Sequence, residues 1–225
     1  MSSPLHVEQQ FEDSEQQMHT ATLGMWVFLA TEILFFGVLF TSYIVFRTRW
    51  PEAFRDSSRD LELWIGGANT AVLLTSSLFM AIAVRAAAMG DNRRVEVFLV
   101  FTIALGLAFL GFKAIEYTIE YHERLIPVLA YASIPPDQAG LPPALQHPRP
   151  RQEEMFMYFY FVMTGLHALH MIVGVGVLTT LLVMTRRGHF SAEYHNPIEI
   201  AGLYWHFVDI VWVFLYPTLY LLRQG

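Results

Sequence analysis

Five long apolar runs divide the sequence, at residues 21–46, 63–88, 95–117, 155–184 and 198–222, with polar or turn-rich stretches between them. A helix rises ~1.5 Å per residue and the apolar core of a bilayer is ~30 Å thick, so about 20 residues suffice to cross it. Each run meets that length and predicts a membrane-spanning helix. The predicted fold is all-α, a polytopic membrane bundle of five transmembrane helices at 21–225 behind a polar N-terminal tail at 1–20.

Composition agrees with this pattern and removes its rivals. Hydrophobic residues make up 54% of the 225 positions and charged residues only 15%, which excludes a soluble two-domain enzyme. Cysteine is absent, so disulfides, thiolate metal sites and thiol nucleophiles are excluded as well. The net charge of −6 resides in loops and tail, and no basic patch invites nucleic acid. The N-terminus is acidic (Glu8, Glu12, Asp13, Glu15) and carries no Lys or Arg before the first apolar run. No cleavable signal peptide is expected, and the first helix should remain in the mature protein.

The connections carry further information. Residues 47–62 balance Arg47, Arg49, Arg55 and Arg59 against Glu52, Asp56, Asp60 and Glu62, and read as a solvated turn. Gly67, Ala71 and Thr75 recur every four residues, a small-residue stripe that allows a neighbouring backbone to approach. The turn at 89–94 is short, so the second and third helices should be antiparallel neighbours. Residues 122–152 are the longest connection and hold seven prolines, which predicts an extramembrane arm without helix. Arg186, Arg187 and Gly188 mark the end of the fourth helix.

The ionisable side chains taken as the intramembrane polar set are Glu32, Glu116, His167, His170, His206 and Asp209. Such groups are costly in hydrocarbon and normally face protein. Lys113 stands one turn from Glu116 and can pair with it or snorkel to the interface. His206 and Asp209, spaced i to i+3, share a helix face. Three readings of the set compete. Histidines from facing helices could ligate a metal or haem, although His-x-x-His alone is a weak signal. The acids could relay protons. The favoured reading is structural, an intramembrane polar seam of Glu116, His167, His170, His206 and Asp209 whose cross-helix bonds fix the helices' rotational settings. No hydrolase triad, glycine-rich phosphate loop or paired catalytic carboxylates stand out. Chemistry belonging to this chain alone is not expected.

Several of these segments resemble one family. The stretch from Tyr204 to Tyr216 is similar to the terminal helix of cytochrome c oxidase subunit III, whose hallmark reads Trp-His-Phe-x-Asp-x-x-Trp. Leu23 to Phe36 resembles that family's Gly-Met-x-x-Phe-x-x-x-Glu-x-x-Phe-Phe segment, and Asn69 to Ser76 its Asn-Thr-x-Val-Leu-Leu run. Glu116-Tyr117 matches its Glu-Tyr pair, and Thr164 to Gly174 its Thr-Gly-x-His-x-x-His block. These motifs occur in the family's order and span most of residues 20–222.

The resemblance implies a non-catalytic accessory subunit of a haem-copper oxidase, supporting dioxygen reduction coupled to proton translocation. No cofactor would be held in this chain. Haem and copper would lie in partner subunits, with catalytic subunit I and membrane phospholipids as neighbours. Glu32 would lie near bound lipid, as a lipid-binding or proton/dioxygen access candidate. Full-length members carry two more helices in front, so the lipid cleft would here be open or completed by another subunit. The proline-rich arm exceeds the family's usual connection and is a candidate docking surface. The five-helix form also resembles quinol oxidase subunits and accessory proteins linked to nitric oxide reductases; Glu32 and the Tyr-Trp-His form point to the cytochrome c type. From another class, the alternative is an autonomous haem-binding or transporter-like membrane protein.

The family's topology, in a bacterial inner membrane, places the N-terminus in the cytoplasm. The positive-inside count points the other way, because Arg47, Arg49, Arg55, Arg59, Arg124, Arg149, Arg151 and Arg223 would then lie outside. The family's orientation is adopted, since the short inside loops are net positive while the arginines of 47–59 are matched by acids.

Overall fold

The structure, a computed structural model, describes residues 14–59, 61, 63–123, 125–127, 134, 140 and 150–221. Six helices account for its architecture, α1 (Ser14–Arg49), α2 (Pro51–Arg59), α3 (Leu63–Ala88), α4 (Asn92–His122), α5 (Arg151–Arg186) and α6 (Asn196–Tyr220). No strand occurs among the described residues. All but α2 are long and apolar enough to cross a membrane, as the sequence pattern predicts.

The helix ends extend beyond the apolar runs. Helix α1 begins at Ser14, so its first turns lie in the stretch read as polar tail, while residues 1–13 lie outside the described residues. Helix α4 continues to His122, five residues past the apolar run. Most of the proline-rich arm lies outside the described residues. The segment read as a solvated turn at 47–62 instead contains α2, which opens on Pro51 at a first-turn position where no amide is needed. That helix is amphipathic: Phe54, Ser57 and Ser58 are buried while its charges face outward. The balanced charges hid Phe54, which packs against Tyr43 and Phe156 with ring centroids 5.4 and 5.5 Å apart.

The chain divides into two compact units, and each long helix contributes a segment to both. The first comprises the described residues of Met1–Phe35 with Leu73–Leu107 and Met171–Ile210. Its centre is Trp205, fully buried, whose ring fits against two glycines. A Cβ added at Gly106 would meet the indole at 2.8 Å, and one at Gly174 at 2.9 Å. The Trp205 indole N–H donates to Ser76 Oγ at 3.1 Å, and the Ser76 hydroxyl donates in turn to the Thr102 carbonyl at 3.3 Å. Gly90 closes the α3–α4 turn at φ 72°, a conformation that favours glycine, and Asn92 ties that turn to the Phe190 carbonyl at 2.9 Å.

The second unit comprises Phe36–Val72, Ala108–His170 and the described residues of Val211–Gly225. Here Tyr216 lies against the glycine pair that opens α3, where a Cβ at Gly66 would approach its ring to 2.8 Å. Close approach at this end of the small-residue stripe lets the Trp212 indole N–H donate to Thr70 Oγ1 at 3.1 Å. The Tyr43 hydroxyl donates to the Thr218 carbonyl at 2.8 Å, so both aromatic side chains spend their polar atoms.

Candidate functional site

The ionisable side chains singled out in the sequence fall into three settings. In the first unit, the His206 ring nitrogen Nδ1 and the Ser77 hydroxyl lie 2.7 Å apart. Asp209, one helical turn on, is only 3% exposed. The Ser77 hydroxyl also interacts with its carboxylate, without reaching hydrogen-bond geometry. A single hydroxyl from α3 thus serves two ionisable groups of α6.

Glu32 lies in the same unit but in a different environment. It is half-buried on α1, close enough to Tyr204 for a direct electrostatic interaction. Its neighbours Ile33, Leu34 and Phe35 are exposed. In the most apolar 18 residues of α1 only 11% are buried, against 61% in α6, so α1 presents a broad unpacked apolar face. A cavity of about 680 Å³ opens beside the same helix, lined by apolar side chains such as Met25, Val173, Val177 and Tyr204 with Glu15 and Glu193 among the polar ones.

The second unit holds the densest polar cluster. Lys113 on α4 is 2% exposed, and its ammonium donates to Glu116 Oε2 at 2.8 Å, to the Tyr160 hydroxyl at 2.9 Å and to the Tyr220 hydroxyl at 3.1 Å. The Tyr220 hydroxyl donates to the second Glu116 oxygen at 2.5 Å. The ammonium also stands 5.0 Å from the Tyr117 ring, 4.9 Å from Tyr160 and 5.5 Å from Trp212, within cation–π range of all three. Of the two options left open by the sequence, Lys113 therefore pairs with Glu116 and does not snorkel.

His167 and His170 belong to the second unit too. His167 is 1% exposed and its ring lies 5.4 Å from Phe109 and 5.1 Å from Trp212. His170 Nδ1 lies 2.8 Å from the Leu166 carbonyl, and its ring meets Phe36 edge-on at 5.4 Å. Glu116, His167 and His170 thus fall in one unit and His206 and Asp209 in the other. Among the described residues no group of three or more His, Asp or Glu side chains is placed to hold a metal ion.

Sequence reasoning did not single out Glu120, Tyr160, Tyr220 or Ser77. Glu120 was within reach, since Lys113, Glu116 and Glu120 follow the i, i+3, i+7 spacing of one helix face. The tyrosines and Ser77 come from elements 47 to 129 residues distant, a pairing with no local signature.

Five helices long and apolar enough to cross a membrane define a polytopic membrane protein. A family model described as cytochrome c oxidase subunit III matches residues 152–224. The protein named cytochrome c oxidase subunit 3 of Thermostichus vulcanus is 31% identical over 206 residues, covering 90% of this chain and 87% of its own length. Its namesake in Synechocystis sp. is 32% identical over 200 residues, covering 88% of this chain and 74% of that one. The quinol oxidase subunit 3 of Bacillus subtilis is 28% identical over 203 residues, covering 90% and 87%. The chain belongs to the cytochrome c oxidase subunit III family of haem-copper oxidase subunits.

Proposed function

We propose that the chain is the non-catalytic third subunit of a cytochrome c-type haem-copper oxidase. It stands beside a catalytic subunit I that carries haem and copper and reduces dioxygen while translocating protons. The observation behind this reading is likeness over about nine-tenths of the chain to relatives named cytochrome c oxidase subunit 3. The apolar face of α1 is the surface offered to other subunits or to phospholipid. The cavity beside α1 has the volume and apolar lining suited to a lipid chain. Glu32, on that helix, is assigned to lipid contact or to proton and dioxygen access. Glu116, His167, His170, His206 and Asp209 are assigned structural work inside the bundle.

The chain is placed as one membrane domain from residue 21 to 225 in a bacterial inner membrane, its N-terminus cytoplasmic, with the arm at 122–152 docking another component. A quinol-oxidising complex is the second reading, supported by the Bacillus subtilis relative. The purified complex should oxidise reduced cytochrome c steadily, and oxidation of quinol alone would replace the first reading by the second. Isolated from its complex, the chain should show no haem absorbance. A stoichiometric Soret band abolished by His206→Ala would overturn the accessory role.

A further inference from the structure

The Lys113 cluster contains one positive group and two carboxyls, all of them 1–2% exposed: Lys113, Glu116 and Glu120. Lys113 and Glu116 neutralise each other, which leaves the Glu120 carboxyl without a charge of its own to oppose it. The charged groups facing Glu120 from its own helix are Lys113, Glu116 and, one residue beyond the helix end, Glu123. From α5 and α6 it faces the hydroxyls of Tyr160 and Tyr220. Tyr117 of α4 faces it as well.

The donor hydrogens around Glu120 are nearly all committed elsewhere. The ammonium of Lys113 has three, and Glu116, Tyr160 and Tyr220 take them. The Tyr220 hydroxyl gives its hydrogen to Glu116. Thr164 gives its own to the Tyr160 carbonyl at 2.6 Å, so the 2.7 Å bond between Tyr117 and Thr164 must take its hydrogen from Tyr117. The Tyr160 hydroxyl is the one member of this set whose hydrogen is still available. Both Glu120 oxygens are buried and make no hydrogen bond of acceptable geometry. An ionised carboxylate there would have at most one donor and two like charges nearby, a burial that neutralisation relieves.

We propose that this cluster is a buried proton-binding site that holds one proton on the carboxyl of Glu120, next to the Tyr160 hydroxyl, with Lys113 as the fixed countercharge of Glu116. Binding is the addition of H⁺ to one carboxylate oxygen, with no electron transferred and no other bond broken. The site does not depend on the electron donor of the complex. It gives the bundle a buried place to hold one proton.

Infrared difference spectroscopy on the purified complex, comparing H₂O with D₂O, tests this by counting protonated carboxyls. Glu120→Gln should remove one deuterium-sensitive carboxylic C=O band relative to the unaltered complex. Lys113→Gln should add one, because Glu116 would then lose its countercharge and take up a proton. Tyr160→Phe should keep the band and shift it to higher frequency, as a hydrogen-bonding neighbour is lost. An unchanged spectrum in Glu120→Gln would overturn the proposal. So would loss of the band in Lys113→Gln, or an ionised Glu120 whose carboxylate bands respond to sodium or potassium. Should Glu120→Gln fail to assemble, the Lys113→Gln and Tyr160→Phe spectra decide by the same criteria.

Discussion

Lys113 and Asp209 are both ionisable, both sit on apolar helices and both are no more than 3% exposed, yet their surroundings treat the charge differently. Around Lys113, two carboxyls, two tyrosine hydroxyls and several aromatic faces converge from three helices. Around Asp209 the neighbouring polar groups are His206 and the hydroxyl of Ser77. One region is organised by charge, around the Lys113–Glu116 pair. The other is organised by shape, through Trp205 held between Gly106 and Gly174, with a sparse set of polar contacts alongside. Removing a partner should therefore be severe in the first region and mild in the second.

The largest effect is expected from Lys113→Met. It leaves the buried Glu116 carboxylate without its cation, and breaking such a pair costs about 3–5 kcal/mol. Thermal dissociation of this chain from the detergent-solubilised complex should shift accordingly. Adding Glu116→Gln to Lys113→Met should recover much of the loss, because the orphaned charge goes with it. No recovery in the double variant would show that the cluster is not organised by charge.

Gly174→Leu comes next and probes the shape-organised region. A side chain there meets the Trp205 ring, and overpacking of this sort costs about 1–3 kcal/mol. The Trp205 bond to Ser76 should be lost, which tryptophan fluorescence and thermal dissociation would register. A variant as stable as the parent would mean that the indole has room to move.

Ser77→Ala should matter less again. It removes one interhelical bond, worth about 1 kcal/mol in membrane bundles, and leaves Asp209 in place. A loss as large as that of Lys113→Met would erase the contrast between the two regions. Glu32→Gln should have the smallest effect, leaving stability and initial oxidase turnover nearly intact. An immediate severe fall in turnover would identify Glu32 as an essential proton relay.

The parts of this architecture legible in the sequence are those encoded by runs of adjacent residues. The five spans could be read because burial in lipid demands about 20 apolar positions each. The pairing of Lys113 with Glu116 was visible as an option because helical spacing brings them together. Helix α2 was missed because its apolar face rests on Phe54, one large residue among balanced charges. Glu120 was missed because the apolar run stops at 117 while the helix does not. The partners of His206 and Lys113 come from distant segments, and no local pattern announces that Ser77 or Tyr220 will arrive beside them.

Gentle extraction of the chain from native membranes, followed by identification of the chains and cofactors that co-purify, tests the central assignment most directly. A haem-copper catalytic subunit should accompany it in fixed stoichiometry, bringing the haem spectrum with it. Recovery of the intact chain in a complex without any such subunit would contradict its role as an oxidase subunit III.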